Sequence, residues 1–208
     1  MLGWLLIALA ALLGYLAGRY RAYRLQNSGE MIVRRAIQQA CPGPNWHLLN
    51  NVTLPAADGT TQIDHVLVSR YGVFVIETKD YGGWIFGDAK SPQWTQMFYK
   101  KKFRFQNPLH QNYKHIKVVR ALLDFLPENQ VDGAVIFTGD AEFKTNRPEG
   151  VFTIAEFVEG LSALKSEIIT ENRLQFCVGR LECNRFALTQ KTDVEHQQHL
   201  QKKFGNPP

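Results

Sequence analysis

The stretch Ile63-Asp64-His65-Val66-Leu67-Val68, followed by Val73-Phe74-Val75-Ile76-Glu77-Thr78-Lys79, decides the fold of this chain. Both runs are rich in apolar and β-branched residues, and the Tyr71-Gly72 turn between them predicts a β-hairpin. A charge inside an apolar strand is costly unless it is paired, hydrogen-bonded or bound to a metal. The hairpin therefore predicts a functional site at its charged residues. These are Asp64, Glu77 and Lys79.

Two registers of the hairpin both place these charges on one face. Side chains alternate along a strand, so Glu77 and Lys79 point the same way. If Tyr71-Gly72 is the two-residue loop, Asp64 lies opposite Lys79; a register shifted by two places it opposite Glu77. Adjacent carboxylates repel unless a cation separates them, and oxygen ligands suit Mg²⁺ or Mn²⁺. A plain ion pair between Lys79 and either acid at a sheet end explains the charges equally well.

The residues around the hairpin also resemble a known family. The matching motifs are Ser28-Gly29-Glu30 at a helix start, the two hairpin strands, residues 82–87 and residues 106–111. Together they resemble a nuclease-related domain (NERD), a branch of the PD-(D/E)xK nuclease superfamily, over residues 28–126. The resemblance implies an α/β, restriction-endonuclease-like fold in which helices flank a mixed sheet. Ile63 replaces the proline that usually precedes the first acid.

The resemblance also implies a Mg²⁺-dependent phosphodiesterase site and assigns roles to five side chains. Asp64 and Glu77 are expected to bind the metal, and Lys79 is expected to be the catalytic lysine. Glu30 resembles the additional acid of the superfamily, and Gln111 resembles the glutamine on the helix that follows the core.

Some of these polar side chains have simpler interpretations. Glu30 could instead stabilise its helix by about 0.3–1 kcal/mol through a favourable interaction with the helix dipole. Gln111 could be a surface amide. His65 faces away from Asp64 and is expected in the core, whereas His110 and His115 show no metal-ligand spacing, so no role is predicted for them.

A basic and aromatic segment follows the hairpin. Residues 89–123 include no acid, and their cations alternate with Trp, Phe and Tyr. Cations that neutralise phosphates, beside aromatic rings that stack on bases, are typical of a nucleic-acid surface. Lys100 to Lys102 could instead lie against anionic lipid. The predicted nucleic-acid-binding residues are Lys100, Lys101, Lys102, Arg104, Lys114 and Lys117.

The N-terminal sequence predicts a membrane anchor. Residues 1–18 carry no charged side chain, and a helix of that length rises about 27 Å, close to the thickness of a hydrocarbon core. Arg19, Arg21 and Arg24 follow the apolar run. This order favours an uncleaved single-pass anchor, in contact with membrane lipid, that leaves the following domain in the cytoplasm. A cleaved signal peptide and a buried core helix are the alternatives.

The sequence predicts one globular domain behind this anchor. The expected parts are a transmembrane anchor (1–20), a basic juncture (21–28), a nuclease-like core (29–126) and the C-terminal part of the same domain (127–208). Helices are predicted at residues 30–40, 108–126, 153–164 and 193–204, and strands at 46–54, 61–70, 73–79 and 131–138. Two further short strands are predicted within residues 94–105.

Composition agrees with a globular protein that binds anions. The chain has 208 residues, 45% of them hydrophobic, and a formal net charge of +5. Such a charge is compatible with either nucleic acid or anionic lipid. Cys41, Cys177 and Cys183 form no CxxC pair, which favours reduced thiols and leaves a Cys177–Cys183 bridge open.

The sequence therefore predicts a membrane-anchored nuclease that hydrolyses phosphodiester bonds of DNA with Mg²⁺ or Mn²⁺. A non-catalytic, membrane-tethered nucleic-acid-binding module is the first alternative. A membrane-associated scaffold with no nucleic-acid role is the second.

Overall fold

The computed structural model describes residues 28–57 and 59–187, together with the single positions Tyr15 and Thr192. Within these residues the chain forms helices and strands, with six consecutive strands after the first helix and three after the second. The elements are α1 (Ser28–Ala40), β1 (Trp46–Ala56), β2 (Gly59–Ser69), β3 (Gly72–Lys79), β4 (Gly83–Phe86), β5 (Gln93–Phe98), β6 (Lys101–Gln106), α2 (Pro108–Leu122), β7 (Val131–Phe137), β8 (Ala141–Phe143), β9 (Val151–Thr153), α3 (Ile154–Ala163) and α4 (Glu171–Asn184).

These strands form two mixed sheets. The first has the order β1-β2-β3-β7-β9, antiparallel from β1 to β3 and parallel from β3 to β9. The second has the order β6-β5-β4-β8, with β8 parallel to β4. One mixed sheet was predicted, and the α/β class with flanking helices is confirmed. The chain leaves the first sheet after β3 at Gly83, whose φ of +81° is a conformation that glycine adopts readily.

Helices cover both faces of the first sheet. On one face, α1 and α3 bury Val33, Ile37 and Phe157 against Leu67 and Ile76 of the hairpin. On the other face, α2 and α4 pack on the alternate hairpin residues. That second core includes Val66, Val75, Val119, Leu123, Leu174 and Leu181. The alternation of buried side chains along β2 and β3 is what a sheet covered on both faces requires.

The hairpin adopts the second of the two predicted registers. Ser69 pairs with Gly72, so the loop consists of Arg70 and Tyr71 rather than Tyr71 and Gly72. Ser69 Oγ donates to the carbonyl oxygen of Gly72 (2.9 Å) and accepts from the N–H of Tyr71 (3.1 Å). These bonds satisfy backbone groups that the tight turn leaves unpaired, and Tyr71 stacks on Trp46 of β1 at 5.2 Å between ring centroids. The Ser69 side chain therefore stabilises the observed register.

Two helical predictions needed correction. The helix expected over residues 108–126 ends at Leu122, and Leu126 instead closes a turn through its N–H to the carbonyl oxygen of Leu123 (2.9 Å). The pattern also missed α4, whose N-cap Thr170 accepts from the N–H of Arg173. The three cysteines are free thiols, so the bridge between Cys177 and Cys183 is not formed.

Several sequence predictions fall outside the described residues. They are the anchor (1–20) apart from Tyr15, most of the basic juncture (21–28) and the polar helix at 193–204. Over the part of the chain that the structure describes, no helix is both long and apolar enough to cross a membrane. The anchor therefore stays a prediction.

Candidate active site at the open end of the hairpin

Glu77 and Lys79 form a buried ion pair at the end of β3. Lys79 Nζ donates to Glu77 Oε1 over 2.6 Å, and the side chains are 14% and 3% exposed. Because the two residues are separated by one position, they project from the same face of the strand, as the sequence predicted. That face is the one covered by α2.

Asp64 closes the site from the neighbouring strand. The hydrogen-bonded ladder between β2 and β3 ends at His65 and Ile76, one residue short of Asp64 and Glu77. Beyond that point Asp64 Oδ2 accepts the backbone N–H of Thr78 over 2.7 Å. The carboxylate thus replaces a backbone acceptor and is held beside Glu77.

Helix α2 adds two more side chains to this cluster. Gln111 Oε1 accepts a hydrogen bond from Lys79 Nζ over 3.2 Å. One turn later, His115 Nε2 lies 3.3 Å from Glu77 Oε2, and His115 Nδ1 forms a 2.7 Å hydrogen bond with Thr61 Oγ1. Glu77 therefore has Lys79 at one oxygen and His115 at the other.

The position of α2 is fixed by amides at its N-terminal end. Asn107 caps the helix by accepting the N–H of Leu109 over 2.9 Å. Asn112 donates to the carbonyl oxygens of Val75 (3.0 Å) and Ala134 (3.2 Å), which lie on β3 and β7. These bonds hold the helix against the sheet, so Gln111 and His115 meet the charged pair in a defined geometry.

Glu30 reaches the site from α1, which packs on the opposite face. Ser28 Oγ donates to Asp80 Oδ2 over 2.7 Å, and Thr138 donates to the other oxygen of Asp80 over 3.0 Å. A side chain at Gly29 would place its Cβ 2.6 Å from Thr138 Oγ1. Glycine therefore allows the start of the helix to approach the ends of β3 and β7, and this approach brings Glu30 within electrostatic range of Glu77 and Asp64.

Carboxyl groups outnumber ammonium groups in this cluster, and their proximity shifts several pKa values. Burial, followed by the charges of Glu77 and Glu30, raises the pKa of Asp64 well above its usual range. Burial and Glu77 also raise the pKa of Glu30. Burial alone would raise the pKa of Glu77, but the proximity of His115 and the charge of Lys79 lower it. Burial would lower the pKa of Lys79, but Glu77 outweighs burial and raises it.

The sequence predictions and the structure agree at His65 and differ at His115. His115 was assigned no role, yet it contacts Glu77; the available signal was its place one helical turn after Gln111. His65 lies in the core as expected, where its Nδ1 bonds Asn50 Oδ1 over 2.8 Å and burial lowers its pKa to about 4. His110 contacts the carbonyl oxygen of Ala89, away from the cluster.

Comparison with known proteins places this geometry in a family. The family model described as "Nuclease-related domain" matches residues 25–138, which is more than half of the chain and includes every side chain of the cluster. The chain belongs to the nuclease-related domain family. The PD-(D/E)xK assignment is consistent with this membership. An uncharacterized protein of Bacillus anthracis is 48% identical over 98 residues, a match that spans 47% of this chain and 46% of that relative.

The oxygen groups of this nuclease-related domain fit a hard divalent cation. Within the described ranges, no group of three or more His, Cys, Asp or Glu side chains is arranged to hold a metal ion by itself. Mg²⁺, however, is usually held by one or two carboxylates, with water and substrate phosphate completing its shell. Among the described residues the buried Glu77 Oε2 accepts no hydrogen bond, although His115 Nε2 lies 3.3 Å away. A dication near Asp64 and Glu77 would satisfy this oxygen and offset the repulsion.

The predicted nucleic-acid-binding cations of the domain lie on the surface. Lys100 forms part of the turn between β5 and β6; Lys101, Lys102 and Arg104 lie on β6, which is the edge strand of the second sheet. Lys114 and Lys117 are exposed on α2, and Lys117 Nζ lies 5.3 Å from the centre of the Tyr113 ring. No described acid forms an ion pair with any of these six cations.

Proposed function

We propose that this member of the nuclease-related domain family is a metal-dependent nuclease that hydrolyses phosphodiester bonds of DNA. The observation that carries the proposal is the buried Glu77–Lys79 pair with Asp64 held beside it. A buried ion pair contributes little net stability compared with apolar residues of similar volume. Function is therefore the better explanation for three charges at this position than stability.

The carboxylates and the lysine would have different roles in catalysis. Asp64 and Glu77 would hold Mg²⁺ or Mn²⁺, which when bound polarises a phosphoryl oxygen and lowers the pKa of a bound water. Lys79 has three N–H donors, and the structure assigns one to Glu77 and one to Gln111. The third donor would bind a phosphate oxygen and stabilise the negative charge that develops as water attacks phosphorus.

The remaining side chains would orient the catalytic groups and the attacking water. Gln111 would fix the direction of the Lys79 ammonium, and His115 would hold the carboxylate of Glu77. Glu30 would orient water near the metal. Oriented groups of this kind lower the barrier because their position is set before the reaction begins.

We propose as well that residues 1–20 anchor the protein in a membrane with the nuclease domain facing the cytoplasm. The support is the uncharged apolar run followed by arginines. Alkaline extraction of membranes tests this: the full-length chain should stay in the pellet, and its release into the supernatant would contradict a membrane anchor.

Cleavage assays on the purified full chain test the nuclease proposal. The protein should nick or degrade DNA with Mg²⁺ or Mn²⁺ and be inactive with a chelator. Asp64→Ala and Lys79→Ala should each lose activity by about 100-fold or more, as is typical when one transition-state contact is removed. Equal cleavage by wild type and both variants would assign the activity to a contaminant.

A non-catalytic nucleic-acid-binding module is the second candidate. The acid-free basic segment favours it, because phosphate contacts alone give salt-dependent binding. It predicts DNA binding that survives Asp64→Ala together with no cleavage in any divalent metal.

A further inference from the structure

The hairpin β5–β6, residues 93–106, forms an arm beside the site. Residues paired across antiparallel strands share a face, so the pairs Trp94–Phe105, Gln96–Phe103 and Phe98–Lys101 all lie on one side. Trp94 and Phe105 pack in the core against Phe137 and Tyr81. This side is called the inner face of the arm.

Aromatic rings continue along the inner face after the core ends. Phe105 packs on Tyr81 at 4.7 Å between centroids, and Tyr81 follows Lys79 by two residues. Further along the arm, the same face carries Phe103, which is 51% exposed, and Phe98, which is 47% exposed. Tyr99 at the turn is 88% exposed and has a φ of +54°, an uncommon conformation for a non-glycine residue. The row of rings therefore begins at the active site and ends in solvent.

Positive charge surrounds these exposed rings. Lys100 and Lys101 lie at the tip, Lys102 and Arg104 lie on the outer face, and all are exposed. The arm itself has no acidic residue. Exposed rings between unpaired cations match a ligand that has flat apolar groups and regularly spaced anions.

We propose that the inner face of the arm binds the unstacked bases of single-stranded nucleic acid and leads the strand to the active site. This inference rests on the proposed nuclease function and specifies single-stranded nucleic acid as the substrate. Bases would stack on Phe103 and Phe98, while the cations of the arm contact the phosphates. In a duplex the faces of the bases are covered by their neighbours, so the rings would find no partner there. Base–aromatic stacking with a cationic groove is the general mode of single-strand binding.

An anionic membrane is the rival occupant of this surface. Lipid would attract the cations, but it gives no reason for the aromatic row to begin beside Lys79 and Tyr81. A strand threaded along the inner face explains both the charge and the direction of the row.

Fluorescence anisotropy of the full chain in non-ionic detergent tests the proposal. The probes are a labelled oligothymidylate and a labelled duplex of equal length, both with a chelator so that no cleavage occurs. Phe103→Ala should weaken binding of the single strand by about 5- to 150-fold, the equivalent of about 1–3 kcal/mol per stacked base, with much less effect on the duplex. Phe103→Trp should retain binding.

Matched variants separate stacking from misfolding. Phe103→Leu keeps an apolar side chain without a ring and should bind as weakly as Phe103→Ala. Phe176→Ala removes a ring that is 55% exposed on α4, outside the arm, and should bind like wild type. Circular dichroism confirms that each variant is folded.

Three results would overturn the proposal. The first is an equal loss of single-strand and duplex binding in Phe103→Ala, and the second is full single-strand binding by Phe103→Leu. The third is a Phe103→Ala variant that keeps its oligonucleotide affinity but loses binding to phosphatidylserine vesicles. The last would assign the arm to a lipid surface. Because the assay contains no divalent metal, its result does not depend on whether the protein cleaves DNA.

Discussion

Lys79 Nζ lies 2.6 Å from Glu77 Oε1, in an ion pair that is almost entirely removed from solvent. The pair leaves Asp64 and Glu30 as further carboxylates around a single ammonium group. Carboxyl groups therefore outnumber ammonium groups in the cluster, and burial and mutual repulsion raise the pKa of Asp64 and of Glu30. A bound cation would offset the repulsion among these carboxyl groups.

Asp64→Asn should make the metal-free protein more stable at neutral pH. Burial and the neighbouring carboxylates raise the pKa of Asp64 well above its usual range. A carboxyl whose pKa is raised on folding destabilises the protein as pH rises from its unfolded pKa through the folded one. Removing that charge should raise the free energy of unfolding at neutral pH, and by more than the removal of an exposed carboxylate does.

Urea titration with a chelator measures this effect. The gain should shrink as pH falls toward the unfolded pKa, since wild-type Asp64 is then protonated as well. Asp124→Asn, at an exposed carboxylate near Arg180, should change stability by less than about 1 kcal/mol. A variant Asp64→Asn that is less stable than wild type at neutral pH would show that the Asp64 charge is already compensated.

Gly29→Ala should destabilise the protein by about 1–3 kcal/mol, as overpacking usually does. Its Cβ would lie 2.6 Å from Thr138 Oγ1 and 2.7 Å from Asp80 Cβ. Gly179→Ala is the matched control, because nothing lies within 4 Å of the added Cβ in α4. That change should stabilise the protein by about 0.5–1 kcal/mol through helix propensity. Thermal unfolding of both variants checks the difference in sign.

Sequence reasoning found the charged cluster because strand periodicity constrains it strongly. Glu77 and Lys79 share a face in any register, and both plausible registers keep Asp64 on that face. Strand periodicity does not distinguish the two registers, and the observed one is stabilised by hydrogen bonds of Ser69.

The sequence patterns did not predict contacts between residues that are distant in the chain. His115 reaches Glu77 because Asn112 ties α2 to two strands that are distant in the chain. The second sheet likewise depends on pairing between β4 and β8, more than fifty residues apart. Local periodicity predicts which face a residue occupies, but it does not predict what packs against that face.

His115→Ala should weaken binding of Mn²⁺ by about 10- to 100-fold, the usual effect of losing a residue that orients a metal ligand. The reason is its contact of 3.3 Å with Glu77 Oε2. His110→Ala on the same helix should bind as wild type does, because the His110 ring contacts the carbonyl oxygen of Ala89. The Mn²⁺-dependent shift of the melting temperature measures both. Equal affinity in the two variants would limit His115 to a packing role.

The double variant Lys102→Gln/Arg104→Gln should reduce the salt dependence of single-strand binding. Each phosphate contact that is lost lowers the slope of log K against log salt by about 0.7 for a single strand. The control is Lys165→Gln, at an exposed lysine outside the basic segment. Anisotropy titrations over a range of salt concentrations give the slopes. Identical slopes for all three proteins would remove β6 from the binding surface.

Calorimetric titration of Mn²⁺ into the full chain and into Asp64→Asn tests whether Asp64 and Glu77 form a metal site. We expect a saturable binding heat with one site in the wild type and no such binding in Asp64→Asn, which stays folded. We also expect that Lys165→Gln binds like wild type. Equal Mn²⁺ affinity in wild type and Asp64→Asn, or no saturable binding in a folded wild type, would contradict a metal site formed by Asp64 and Glu77.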